Sequence, residues 1–244
     1  MKMMCNILLV IGLLAGIQCN SQENPNQQKK EGDKISLPTP DSKGDMSLEK
    51  TLENRRSVRS FSQKSLSLSD IGQILWAAQG ITEKVEQPPA QWKGDEWMGG
   101  KRTAPSAGAL YPMEIYLIVS QVEGLDEGIY YYHPGNHELR RVARGEIREK
   151  LASAALGQSC IKEAPASIVM TGVYERTANK YGDRAQKYVH IETGAIAQNI
   201  YLQAEPLELG TVFVGAFQDE EMSKLLKLPK KESPLGIMPI GHPE

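Results

Sequence analysis

Pro105-Ser106-Ala107-Gly108-Ala109-Leu110-Tyr111-Pro112 is the stretch whose reading decides the fold. Ser106, Ala107, Gly108 and Ala109 carry little or no side chain, so their amides and carbonyls can approach the edge of a flat ligand. The prolines at either end stiffen the segment. Immediately after it Met113, Ile115, Leu117 and Val119 alternate with Glu114, Tyr116 and Ile118, the period of a strand buried on at least one face. Taken alone, the turn serves equally well as a loop packed between elements.

Working outward, two other segments share its character. Arg55-Arg56-Ser57-Val58-Arg59 places three guanidinium groups and a hydroxyl within five residues. Guanidinium forks match phosphate oxygens in pairs, and the Ser hydroxyl adds a short donor. Exposed arginine clusters are common, so this signal gains weight only in company. Gly210-Thr211-Val212-Phe213-Val214-Gly215-Ala216-Phe217 reads as a short strand ending on a small pair, whose backbone N–H could donate to a ring nitrogen.

Between these segments the chain alternates helix and strand. Ser47-Leu48-Glu49-Lys50 opens a helix, and Ser69-Asp70 is read as the cap of a second, ended by Gly80. Residues 128–133 and 138–142 flank Pro134-Gly135-Asn136, a hairpin signal. Residues 147–155 read as helix, and 166–173 form a continuous apolar run of strand length, expected at the centre of a sheet. The longest helix is expected over 184–205, ended by Pro206 and Gly210, and a short one over 219–228. This order suits an α+β sandwich: a mostly antiparallel sheet, flanking helices and one long central helix.

The 28 Lys and Arg residues nearly cancel the 30 Asp and Glu, leaving a net charge of -2 and no basic excess for nucleic acid. Lys2 precedes an apolar run from Ile7 to Ile17, the length of a signal-peptide core and short of the roughly 20 residues that span a bilayer. Residues 1–19 are therefore expected to be an export signal. Cys19 stands where bacterial lipoprotein signals place their lipidated cysteine, although Gly16-Ile17-Gln18 is a poor match to the small residues usual before it. Lipidation and simple secretion both remain open. Residues 20–46 are polar and poor in large apolar side chains, so they read as a flexible tether before a domain over 47–244. Of the three cysteines, Cys5 and Cys19 fall in the signal and only Cys160 lies in the domain, so neither a disulfide framework nor a cysteine metal site is expected.

Four segments together resemble the nitroreductase family, specifically its SagB/ThcOx-type branch: Arg55 to Phe61, Ala104 to Pro112, His190 to Asn199 and Gly210 to Phe217. The resemblance spans 47–242. It implies bound FMN, an α+β fold and a homodimer with the flavin at the subunit interface. By resemblance, Arg55, Arg56 and Ser57 hold the FMN phosphate. Pro105, Ser106, Ala107 and Gly108 reach the flavin, often from the partner subunit, and Val214, Gly215 and Ala216 face its ring. Azoline oxidases of this branch carry a Lys-Tyr acid/base pair, matched here by Lys187 and Tyr188. The implied activity is hydride transfer to or from a small organic substrate, with a nicotinamide or another electron donor. The alternative is a flavin-binding envelope protein without turnover.

This sequence departs from the family in two places. No Lys or Arg follows Lys231, so phosphate binding is expected to lean on the Arg55 cluster, with Arg102 as a candidate helper. Glu205-Pro206-Leu207-Glu208 replaces a more apolar, glycine-rich helix end. Two other motifs fail on inspection. The run from Gly94 to Lys101 falls short of a P-loop because Gly100 displaces the lysine. His133 and His137 are separated by Pro134-Gly135, which forbids the helical spacing of a zinc pair.

Overall fold

Seven residues, Ala166–Gly172, form the strand on which the rest is built, and every one of them is buried. Here Ile168 and Met170 face one apolar cluster and Val169 the other, so the strand lies in a sheet covered on both sides. Burying each such side chain is worth about 1.5–3 kcal/mol. The computed structural model describes residues 33–86 and 99–244. In chain order its strands are β1 (Lys34–Ser36), β2 (Ile81–Lys84), β3 (Gly100–Arg102), β4 (Met113–Val119), β5 (Gly128–His133), β6 (Glu138–Arg144), β7 (Ala166–Gly172), β8 (Gly210–Thr211) and β9 (Ser233–Gly241). The helices are α1 (Leu48–Asn54), α2 (Leu68–Gln79), α3 (Arg148–Ala154), α4 (Ser159–Glu163), α5 (Tyr174–Tyr181), α6 (Ala185–Ala204) and α7 (Asp219–Leu226).

Among the described residues the main sheet has the order β1-β6-β5-β4-β7-β9-β8, with each neighbouring pair antiparallel. β2 and β3 form a separate antiparallel pair. On one sheet face Ile71, Ile74 and Leu75 of α2 and Val189, Ile196 and Ile200 of α6 pack against Ile115, Leu117, Ile168 and Met170. On the other, Leu151, Ile161, Met222 and Leu226 of α3, α4 and α7 cover Tyr116, Val169 and Ile237. The expected α+β sandwich with a long helix is the observed architecture.

Several local expectations shift. The second helix is capped by Ser67, not Ser69: Ser67 Oγ accepts the Asp70 N–H at 3.1 Å and Asp70 Oδ2 accepts the Ser67 N–H at 3.0 Å. Asp70 can reach back this way only from the third helical position, and that selects Ser67. Gly210 does not end α6. Glu208, in the left-handed region at φ 55°, makes that turn, and Gly210 starts β8. Its missing side chain is needed there, because a Cβ would stand 2.7 Å from Val58 Cβ.

The tether reading of 20–46 fails for its described part. Lys34–Ser36 pairs with β6, Leu37 is buried, and His137 Nε2 lies 3.0 Å from Pro38 O. The unpaired edge of β6 supplies the partners, so ordered chain begins before Ser47. The expected signal, Cys19, the start of the tether and residues 94–98 of the Gly94 to Lys101 run lie outside the described residues, while Gly100 and Lys101 stand in β3.

β9 went unassigned in the sequence because Pro234 and Pro239 interrupt it. The fold tolerates them because β8 pairs with β9 only at Ile240 and Gly241, with Val214 joining at Ile237. Cys160 is buried and free in α4, and burial raises its thiol pKa. Among the described residues no group of His, Cys, Asp and Glu could hold a metal ion.

Candidate functional site

The arginine segment leaves α1 in extended form and joins the sheet edge. Val58 N–H donates to Thr211 O at 2.9 Å, and Ser57 bridges Thr211 in parallel register. Tyr201, one turn before the end of α6, ties this corner together. Its Oη accepts the Phe213 N–H at 2.8 Å and lies 3.2 Å from Ser57 Oγ. The Arg55 guanidinium stands over its ring, 5.4 Å from the centroid. Arg56 points elsewhere: its Nη1 donates to the carbonyls of Glu53 at 2.8 Å, Asn54 at 3.3 Å and Arg55 at 2.8 Å, closing the C-terminal end of α1. Thus Arg55 and Ser57 converge on one tyrosine and Arg56 flanks them.

The third segment continues from the same corner. Val214 exchanges both backbone bonds with Ile237, at 2.8 and 2.9 Å, which pins it and presents Gly215 and Ala216 to solvent. The Ala216 carbonyl accepts from Gln158 Nε2 at 3.0 Å. Phe213 stays partly exposed and seats its ring where a Gly236 Cβ would be, 2.5 Å from the ring edge.

These residues fit a phosphate-bearing flavin. Guanidinium and hydroxyl donors face outward beside an exposed small-residue backbone, and Thr211 Oγ1 is buried there without a hydrogen-bond partner among the described residues. Buried hydroxyls are usually paired, so this one is available to a bound group or to an ordered water.

The 105–112 turn lies toward the other end of α6. Gly108, Ala109 and Tyr111 have φ of 63°, 53° and 44°. Ser106 Oγ accepts the Tyr111 N–H at 2.9 Å, Arg176 donates to the Tyr111 carbonyl, and Arg102 stacks over the Tyr111 ring at 4.7 Å. Gly108 abuts α5, where a Cβ would meet Tyr181 Oη at 2.8 Å and Lys180 Nζ at 2.9 Å.

Arg102 is not a helper in the phosphate corner. It is buried, donates to Gln79 Oε1 at 2.9 Å, and its stem and fork are enclosed beneath the turn. Gln79 in turn donates to Glu192 Oε1 at 3.4 Å. Burial pushes the Glu192 carboxyl up to about 7, against the opposite pull of Ser106, Gln79, Arg102 and Arg176.

Lys187 and Tyr188 sit at the start of α6 near this turn. Lys187 is exposed, while Tyr188 packs edge-on against Tyr181 at 5.0 Å and accepts from Arg184 Nε at 2.9 Å. A shallow depression of about 590 Å³ is lined by Gln186, Lys187, His190 and Ile191. Glu192 and Tyr201 mark the two ends. They lie nine positions apart along α6, about 13 Å. Sequence reading missed Tyr201 and Glu192. Both lie on the one stretch of long helix that touches all three segments, and a polar side chain facing an apolar helix stripe was the available signal.

Comparison with known proteins places the chain in a family. Residues 52–242 match the nitroreductase family. Over 211 residues, 86% of this chain and 98% of the relative, the chain is 43% identical to the protein named "Putative nitroreductase MJ1384" of Methanocaldococcus jannaschii. It is 28% identical over 147 residues to the microcin B17-processing protein McbC of Escherichia coli, 58% of this chain and 54% of McbC, so it spans about half that relative's length. A crystal structure titled as a putative nitroreductase of Ralstonia eutropha superposes with a TM-score of 0.71 at 27% identity, covering 86% of this chain and 90% of that one. Family membership favours an enzyme over a flavin-binding protein without turnover. The chain belongs to the nitroreductase family, and it is an FMN-dependent oxidoreductase.

Proposed function

We propose that two copies of this chain build each flavin site. Arg55 and Ser57 of one copy hold the FMN phosphate, with Arg56 flanking them at the end of α1, and Val214, Gly215 and Ala216 of that copy face the ring. Pro105, Ser106, Ala107 and Gly108 of the second copy close it. The observation that supports this reading is Tyr201, which lies 3.2 Å from Ser57 Oγ and accepts the Phe213 N–H, so the residues assigned to the phosphate stand beside the segment assigned to the ring. When bound, FMN supplies two-electron chemistry, taking a hydride from one molecule and giving it to another. The chain's part is to orient, to exclude water and to manage protons. Lys187 Nζ is the group placed to take or return a proton, with Tyr188 held beside it by Arg184. A nicotinamide donor and a small organic acceptor fit a shallow, open depression beside Lys187. Azoline-containing peptides are a second substrate class, supported by the similarity to McbC.

The test is direct. Protein purified gently should carry a flavin visible band that bleaches on anaerobic addition of NADH or NADPH and returns with a quinone or nitroaromatic. Protein that stays colourless with added FMN sinks the reading.

The second copy is supported by exposed Leu48 and Leu52 on α1 and Ile191 on α6, two helices that pack together. Ile191→Glu with Leu52→Glu should shift the protein from dimer to monomer in sedimentation velocity, with loss of bound FMN. A variant that stays dimeric and yellow removes the shared site. The apolar run from Ile7 to Ile17 followed by Cys19 further supports an exported protein, lipid-anchored in a bacterial envelope.

A further inference from the structure

The turn beside the long helix is held in a conformation that few residues adopt. Of Gly108, Ala109 and Tyr111, all at positive φ, only the first is glycine. Such backbone persists where its surroundings over-determine it. Those surroundings converge on one buried carboxyl. Glu192, 3% exposed, accepts from Gln79 Nε2 at 3.4 Å, and the nearby Ser106, whose Oγ accepts the Tyr111 N–H, pulls the Glu192 carboxyl down against the effect of burial. From α2, Gln79 joins Glu192 to Arg102, whose guanidinium stacks on Tyr111 and whose backbone N–H donates to Tyr111 Oη at 3.3 Å. From α5, Arg176 holds the Tyr111 carbonyl and adds a second nearby positive charge. The charged and titratable groups of this cluster are Arg102 and Arg176 beside Glu192, Tyr111 against Arg102, Glu114 paired with Arg176 Nη2 at 2.7 Å, and Tyr131 bonded to Glu114, with Gln79 and Ser106 as neutral partners.

We propose that Glu192 is the positioning residue of the Ser106–Tyr111 turn, which seats firmly over the uncharged carboxylic acid and loosens when that group ionises. As an acid it can both donate and accept, which suits a site crowded with Gln79 and Ser106. As a carboxylate it is charged and almost without water, and opening the turn returns it to solvent.

The direction follows from linkage. Enclosed, the group titrates at about 7, and in water near 4.5. A raised value in the closed form means that closing is favoured most below about 4.5, and that this advantage is lost as pH rises through about 7. For full re-exposure on opening, the closed-to-open ratio falls about tenfold between pH 6 and pH 8. Because the turn is read as the flavin-facing segment, FMN should also leave faster at the higher pH. That last step rests on the proposed function, whereas the movement of the turn does not.

Amide hydrogen exchange of the full chain, followed by mass spectrometry and corrected for intrinsic pH dependence, tests it. Exchange of the peptide covering 106–111 should quicken up to about tenfold from pH 6 to pH 8 in the natural protein. Glu192→Gln should hold the slow rate at both, and Glu192→Asp should restore the pH step. Equal protection of the natural protein at both pH values overturns the proposal, even if the variants fold poorly. A Glu192→Gln protein that keeps the pH step overturns it too. FMN release, read by recovery of flavin fluorescence, is measured alongside. If exchange responds and release does not, Glu192 stands as the positioning residue and the flavin contact of the turn falls.

Discussion

Arg55→Ala combined with Ser57→Ala is expected to weaken FMN binding about 100-fold, measured by quenching of flavin fluorescence on titration. A charge-assisted hydrogen bond is worth about 1.5–3 kcal/mol and a neutral one about 1 kcal/mol. Losing both gives roughly 3 kcal/mol, near two decades in Kd. The pair is singled out because Arg55 lies over Tyr201 and Ser57 bonds to it. Arg56→Ala should matter less for FMN and more for α1, since its fork is engaged by the helix-end carbonyls. A double variant that binds FMN as the natural protein does would remove the phosphate corner from the proposed function.

Phe61→Ala is expected to give the largest loss of stability, about 3–5 kcal/mol. Phe61 is 1% exposed, bridges Pro243 and fills the space over Gly241, where a Cβ would meet its ring at 3.0 Å. It also anchors the chain just after the arginine cluster, so its removal leaves a cavity where that segment is pinned. In a chain of this size each kcal/mol moves the melting temperature by about 2–4 °C, so a drop of roughly 6–20 °C should appear in a thermal melt. Phe61→Leu, which refills much of the volume, should recover most of it. A melt within a few degrees of the natural protein for Phe61→Ala would show that this corner is not part of the cooperative core.

The alternation from Met113 to Val119 and the apolar run of 166–173 were both legible as strands, because each is written in side-chain period and length. The hairpin at Pro134-Gly135-Asn136 and the span of α6 were legible for the same reason. β1 and β9 were not. A segment as short as Lys34–Ser36, with Ile35 its one apolar residue, becomes a strand only because β6 leaves an edge to pair with. Pro234 and Pro239 sit in a strand only because the neighbour on one side is short. Strand pairing between distant segments depends on which edge is vacant, and that is set by the rest of the fold.

The sequence by itself determined the class of sandwich, the family, and the three small-residue and arginine segments to which the proposed function assigns the flavin. Backbone freedom, guanidinium chemistry and hydrophobic period are local properties, and they are carried by the residues themselves. Tertiary structure alone decided that Tyr201 joins two of those segments, that Arg56 turns toward a helix end, and that Arg102 is buried away from the phosphate corner. It also decided that Glu192 lies beneath a strained turn, about 13 Å along the helix from Tyr201. These are matters of distance and desolvation between residues far apart in the chain, and only packing fixes them.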